Sequence, residues 1–182
     1  FSELAFPVYH NTLSNPAMEV QTNGVTAGPA ALAAPAASMV LAATDFNLVS
    51  TTAPGLLGRG LMSTNRGPST VQATNGVVNT VGGFDGIGNA AIAILAETLG
   101  PSSGNALAQV NGTRISTTGP SAMGIVSVTG FGGSASGGAR VEATGITLST
   151  SGVNAPGIFA AGINGNTGPV DIIFASGTVE AQ

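Results

Sequence analysis

The stretch that decides the fold is Ala139 to Gly152, ARVEATGITLSTSG. Its first half alternates apolar or small residues (Ala139, Val141, Ala143) with polar ones, the period of two that a half-buried strand requires. A glycine at 145 then permits a sharp bend, because a residue without Cβ adopts positive φ freely. After the bend the alternation resumes through Leu148 and Thr150. The phrase reads as strand, corner, strand.

Similar phrases occur in both directions along the chain: ALAQVNGTRISTTG (106–119), STVQATNGVVNTVG (69–82) and MEVQTNGVTAG (18–28), with weaker copies at 39–52 and 171–182. Taking one anchor at each bend gives Gly24, Asp45, Asn75, Gly112, Gly145 and Gly177, a loose period near 30 residues. Gly, Asn and Asp are the residues that tolerate a left-handed corner best. Four residues before the anchors stand Val20, Leu41, Val71, Ala108, Val141 and Ile173, an inward column. Three residues after them, Ala27, Leu48, Val78, Ile115 and Leu148 form a second column, broken by Glu180 in the last copy. Ser50, Thr80, Thr117 and Thr150 follow in the same inward phase.

A third phrase completes each unit: GRGLMS (58–63), SAMGIVSV (121–128), NAPGIFAA (154–161) and an expanded GFDGIGNAAIAIL (83–95). The loops from there to the next anchor carry the turn formers and vary most in length. Self-similarity of this kind marks a solenoid. The expected architecture is all-β: one domain over residues 1–182, a parallel β-helix of about six coils with three short strands per coil, residues 1–16 forming a cap or incoming strand. An antiparallel sandwich shares the short strands but does not predict matching columns across copies.

Composition agrees and excludes several functions. Charged residues make up only 7% of the 182-residue chain and Lys plus Arg number 4, too few for a helical surface or for neutralising phosphates, so no nucleic-acid partner is expected. Without cysteine there is no disulfide or thiolate site, and no cofactor motif is present. His10 has no second ligand nearby in sequence, so no metal site is expected. The apolar run from Ala30 to Ala43 is interrupted by Pro35 and is too short to span a bilayer as a helix. The glycine-rich GFGGSASGG (130–138) lacks the Lys-Ser/Thr of a phosphate loop.

The phrases TTGPSAMGIVSV (117–128), TGITLSTSGVNAPGIFAAGINGNTGPV (144–170) and ASGTVEA (175–181) resemble repeats in the passenger regions of autotransporter-type surface proteins of Gram-negative bacteria. The resemblance implies export to the cell surface, a right-handed β-helix, and a role in adhesion, aggregation or display. It transfers no catalytic residue, and no translocator barrel is recognisable here.

Three functions follow as expectations. The first is a non-catalytic structural or adhesive segment of a secreted bacterial surface protein, with further repeats, neighbouring copies, a host surface or a polysaccharide as partners. The second is a fibre subunit stacking end to end. The third is a carbohydrate-active β-helix such as a lyase, glycosidase or tailspike, which needs converging acids. The eight acids are Glu3, Glu19, Asp45, Asp85, Glu97, Glu142, Asp171 and Glu180, and the repeat register brings only Glu19 and Glu142 onto comparable strands.

Overall fold

The computed structural model describes residues 8–11, 16–21, 38–51, 59–82, 91–101 and 104–182. Among them there is no helix, and every strand pairing is parallel. The strands are β1 (Val8–Asn11), β2 (Pro16–Gln21), β3 (Met39–Thr44), β4 (Asn47–Thr51), β5 (Arg59–Asn65), β6 (Ser69–Thr74), β7 (Val77–Val81) and β8 (Ile92–Leu99). They continue as β9 (Ala106–Asn111), β10 (Arg114–Thr118), β11 (Met123–Phe131), β12 (Ala139–Thr144), β13 (Ile146–Ser151), β14 (Ile158–Gly162), β15 (Val170–Phe174) and β16 (Gly177–Ala181).

Every third strand joins the same sheet. The first sheet runs β1-β4-β7-β10-β13-β16, the second β14-β11-β8-β5-β2 and the third β15-β12-β9-β6-β3. The chain is therefore a β-solenoid with three strands per coil. With six, five and five strands in its sheets, the coil count falls slightly short of six.

The core is built from stacked columns. Leu41, Val71, Ala108 and Val141 face inward from the third sheet, Leu48, Val78, Ile115 and Leu148 from the first, and Leu61, Ile94 and Ile125 from the second. All are buried. Each fully buried Val, Leu or Ile contributes about 1.5–3 kcal/mol relative to exposure. No single coil encloses this core, because each rung is covered only by the rungs on either side.

Polar side chains inside the solenoid sit mainly at its corners, where chain direction changes and backbone groups need partners. Ser69 donates through Oγ to the carbonyl of Ser63 at 2.8 Å, and Ser127 donates to the carbonyl of Ala106 at 2.9 Å while accepting from the backbone N–H of Arg140 at 3.1 Å. The hydroxyl column lies inward, with Thr80, Thr117 and Thr150 all buried; the side chain of Ser50 lies outside the described set.

The corner between the third and first sheets is the tightest. Asp45, Asn75, Gly112 and Gly145 stack there with φ of 50°, 52°, 57° and 62°. The N–H groups of the first three donate to the carbonyls of Thr74, Asn111 and Thr144 in the next coil, at 2.9–3.0 Å. One residue on, Phe46, Gly76, Thr113 and Ile146 form their own stack. A Cβ at Gly76 would stand 2.2 Å from the Phe46 ring, so glycine is needed there for space.

Of the two remaining expected corner positions, only Gly177 is described. Gly24 lies outside the described residues, and the strand that precedes it, β2, pairs with β5 in the second sheet. Val20 therefore stands beside Ser63 and not in the Leu41 column. At the other end Gly177 is the first residue of β16 and pairs with Ile146, so it is Ser176 that stacks on Gly145 and accepts its N–H through Oγ at 2.9 Å. The last copy is thus shifted by one residue: Ile172, not Ile173, continues the Val141 column, and Val179 continues the Leu148 column that Glu180 was expected to break. Among the described residues loop length also varies at two corners, 119–122 and 152–157 as well as 66–68, 132–138 and 163–169, and not at one.

Candidate functional site

The outer face of the third sheet is where the outward positions of β3, β6, β9 and β12 align into polar columns. Strand alternation turns Ala42, Gln72, Gln109 and Glu142 away from the core. The parallel register places them in one row. Beside it runs a second row, Thr44, Thr74, Asn111 and Thr144. These two rows line a groove of ≈ 410 Å³.

From Gln72 to Glu142 the first row is joined by side-chain hydrogen bonds. Gln72 donates through Nε2 to Oε1 of Gln109 at 2.9 Å, and Gln109 donates through Nε2 to Oε2 of Glu142 at 2.8 Å. Arg140 closes it, its Nη2 lying 2.7 Å from Oε1 of Glu142. Equivalent side chains on adjacent parallel strands stand roughly 4.8 Å apart, which suits amide-to-amide bonding along the axis. The chain of amides thus has one direction and ends on a carboxylate. The second row keeps its hydroxyl and amide groups open, since no hydrogen bond engages the side chains of Thr44, Thr74, Asn111 or Thr144 among the described residues.

Glu19 and Glu142, expected on comparable strands, belong to different sheets: Glu19 lies on β2 in the second and Glu142 on β12 in the third. Asp171 instead pairs with Arg140, which brings Asp171, Arg140 and Glu142 to one outer face. Glu97 stands on the outer face of the second sheet, where Thr64 donates to its Oε2 at 3.3 Å, and Glu180 stands on the first. Asp45 occupies its corner, and Glu3 and Asp85 lie outside the described residues.

Asp171 was hidden in the sequence by the one-residue shift of the last copy. A slip of one residue exchanges the faces of a strand, so the anchor at Gly177 turned Asp171 inward. The Gln72, Gln109 and Glu142 column was visible as a polar row, but its hydrogen-bonded continuity and the groove beside it were not. Among the described residues no group of three or more His, Asp or Glu side chains could hold a metal ion. Among them also no helix is long and apolar enough to cross a membrane. Comparison with protein-family models, with curated proteins and with solved structures finds no match.

Proposed function

We propose that this chain is a structural or adhesive segment of a secreted bacterial surface protein, a non-catalytic solenoid stalk exposed outside the cell. The observation that carries this reading is the distribution of its ionisable groups. Three outer faces and a corner each receive acids, while the side chains that repeat from coil to coil serve packing, corners and ladders. A stalk needs stacked, interchangeable coils and no concentrated chemistry. The autotransporter-like phrases at 117–128, 144–170 and 175–181 support the same reading.

The set of Asp171, Arg140 and Glu142 is the one feature that favours a carbohydrate-active alternative. Glycoside cleavage needs one carboxyl kept protonated, usually by an enclosed apolar setting. Here the Glu142 side chain is 32% exposed and held in an ion pair, and Asp171 stands in solvent on the outer strand. That setting suits a structural ladder better than an acid catalyst.

Antibodies raised against the purified chain test the stalk directly. They are expected to label intact producing cells without permeabilisation. Labelling only after lysis would overturn the surface assignment, and release of reducing ends from a polysaccharide by the purified chain would overturn the non-catalytic one.

A further inference from the structure

We infer that the groove on the outer face of the third sheet binds an uncharged, hydroxyl-rich polysaccharide laid along the solenoid axis. This goes beyond the stalk reading and does not rest on it. The groove crosses β3, β6, β9 and β12, three strand intervals or roughly 14 Å, long enough for a few sugar units. Its walls are two rows with complementary chemistry. One offers amides, which carry a donor and an acceptor on a single planar group, and the other offers hydroxyls and the Asn111 amide.

Other classes of ligand fit poorly. A nucleic acid needs unpaired cations, and the arginine at the border, Arg140, is already paired with Glu142. An extended peptide is captured by a free sheet edge, whereas the middle strands here, β6, β9 and β12, are paired on both sides. An apolar ligand would find only Ala42 among the outward-facing apolar side chains, since Val110 turns into the core. What remains is a chain of hydroxyls that can both donate and accept.

The free capacity is also in the right place. Each of the Gln72 and Gln109 amides uses one of its two N–H groups in the ladder, leaving the second to solvent or ligand. The ladder fixes those amides before a ligand arrives, which reduces the ordering cost of binding. With no aromatic platform in the groove, the expected affinity is weak.

The test is native gel electrophoresis of the full 182-residue chain, which migrates as an anion at neutral pH, through gels containing dextran, hydroxyethylcellulose, galactomannan or polygalacturonate. At least one neutral polymer is expected to retard it. The double variant Gln109→Ala/Asn111→Ala is expected to weaken that retention about tenfold, a loss readily resolved by varying the polymer concentration. The pair Ser116→Ala/Ser149→Ala, on the outer face of the first sheet, is expected to leave it unchanged.

Should the double variant fail to fold, Asn111→Ala alone serves, because that side chain makes no hydrogen bond among the described residues. Retention by no neutral polymer, retention by polygalacturonate alone, or equal retention of the groove variants would each overturn the inference. A chain displayed on intact cells but not retained keeps the stalk and loses the groove. One that is retained but confined inside the cell does the reverse.

Discussion

The coil containing β12 and β13 and the rung formed by β14, β15 and β16 use the same columns with opposite results. Val141 is fully buried, while Ile172, stacked directly on it, is 50% exposed. Leu148 is 1% exposed, and Val179, stacked on it, is 40% exposed. The residue types hardly differ. What differs is whether a rung has neighbours on both sides, so burial in this fold is a property of stacking and not of the strand itself.

Truncating equivalent residues in the two regions gives the largest effect and the sharpest form of the comparison. Leu148→Ala removes side-chain atoms that pack against Gly124 of the second sheet, where an added Cβ would stand 2.6 Å from the leucine, and against Gly157 just before β14. We expect it to cost about 3 kcal/mol, the usual range for a buried leucine that leaves a cavity. Val179→Ala should cost about 1 kcal/mol or less, because much of that side chain is already in water. Urea midpoints measured with unchanged slopes give both values. Equal losses would mean that the last rung is packed as tightly as the interior.

The same contrast explains how much of the fold was legible in the sequence. The four copies at 39–52, 69–82, 106–119 and 139–152 alternate cleanly, so their inward columns and their corners at 45, 75, 112 and 145 could be read residue by residue. At 170–174 the sequence is VDIIF, with Ile172 and Ile173 adjacent and apolar on both faces. Alternation then no longer tells inside from outside, and the glycine at 177 offered an anchor one residue late. The corner itself is made by Ser176, whose hydroxyl takes over a contact that backbone carbonyls make in the earlier coils.

The first copy failed for a different reason. MEVQTNG has the right alternation and a plausible bend, but alternation identifies a strand without saying which sheet it joins. Pairing of β2 with β5 settles that point. The groove shows the same limit. Polar residues at 72, 109 and 142 were readable as an outward row, whereas the hydrogen bonds that join them depend on stacking distance, which no single strand encodes.

A second substitution probes the corner stack, where neighbours press from both sides. Gly76 lies between Phe46 of the preceding coil and Thr113 of the following one, and Thr113 Oγ1 accepts its N–H at 3.4 Å. Gly76→Ala sets a methyl group against the buried Phe46 ring, and we expect a loss of about 2 kcal/mol from overpacking. Adding Phe46→Leu should recover part of it, because the clash is with the far end of that side chain. A double-mutant cycle with no coupling would show that the corner yields without involving the ring.

The smallest effects should separate two hydroxyls of one inward column by their sign. Thr117 and Thr150 pair directly across β10 and β13, and both are buried. Thr150 donates to the carbonyl of Ala155 at 2.9 Å, whereas Thr117 Oγ1 has no partner among the described residues. Thr150→Val strands a buried acceptor and should cost about 1–2 kcal/mol. Thr117→Val keeps the shape, removes an unpaired buried hydroxyl and should be neutral or stabilising by up to about 1 kcal/mol. Opposite shifts of the urea midpoint are the expected outcome. A loss of equal size in both variants would mean that the column acts as one hydrogen-bonded unit, and that coils at the centre of the stack differ from their neighbours less than their carbonyl contacts indicate.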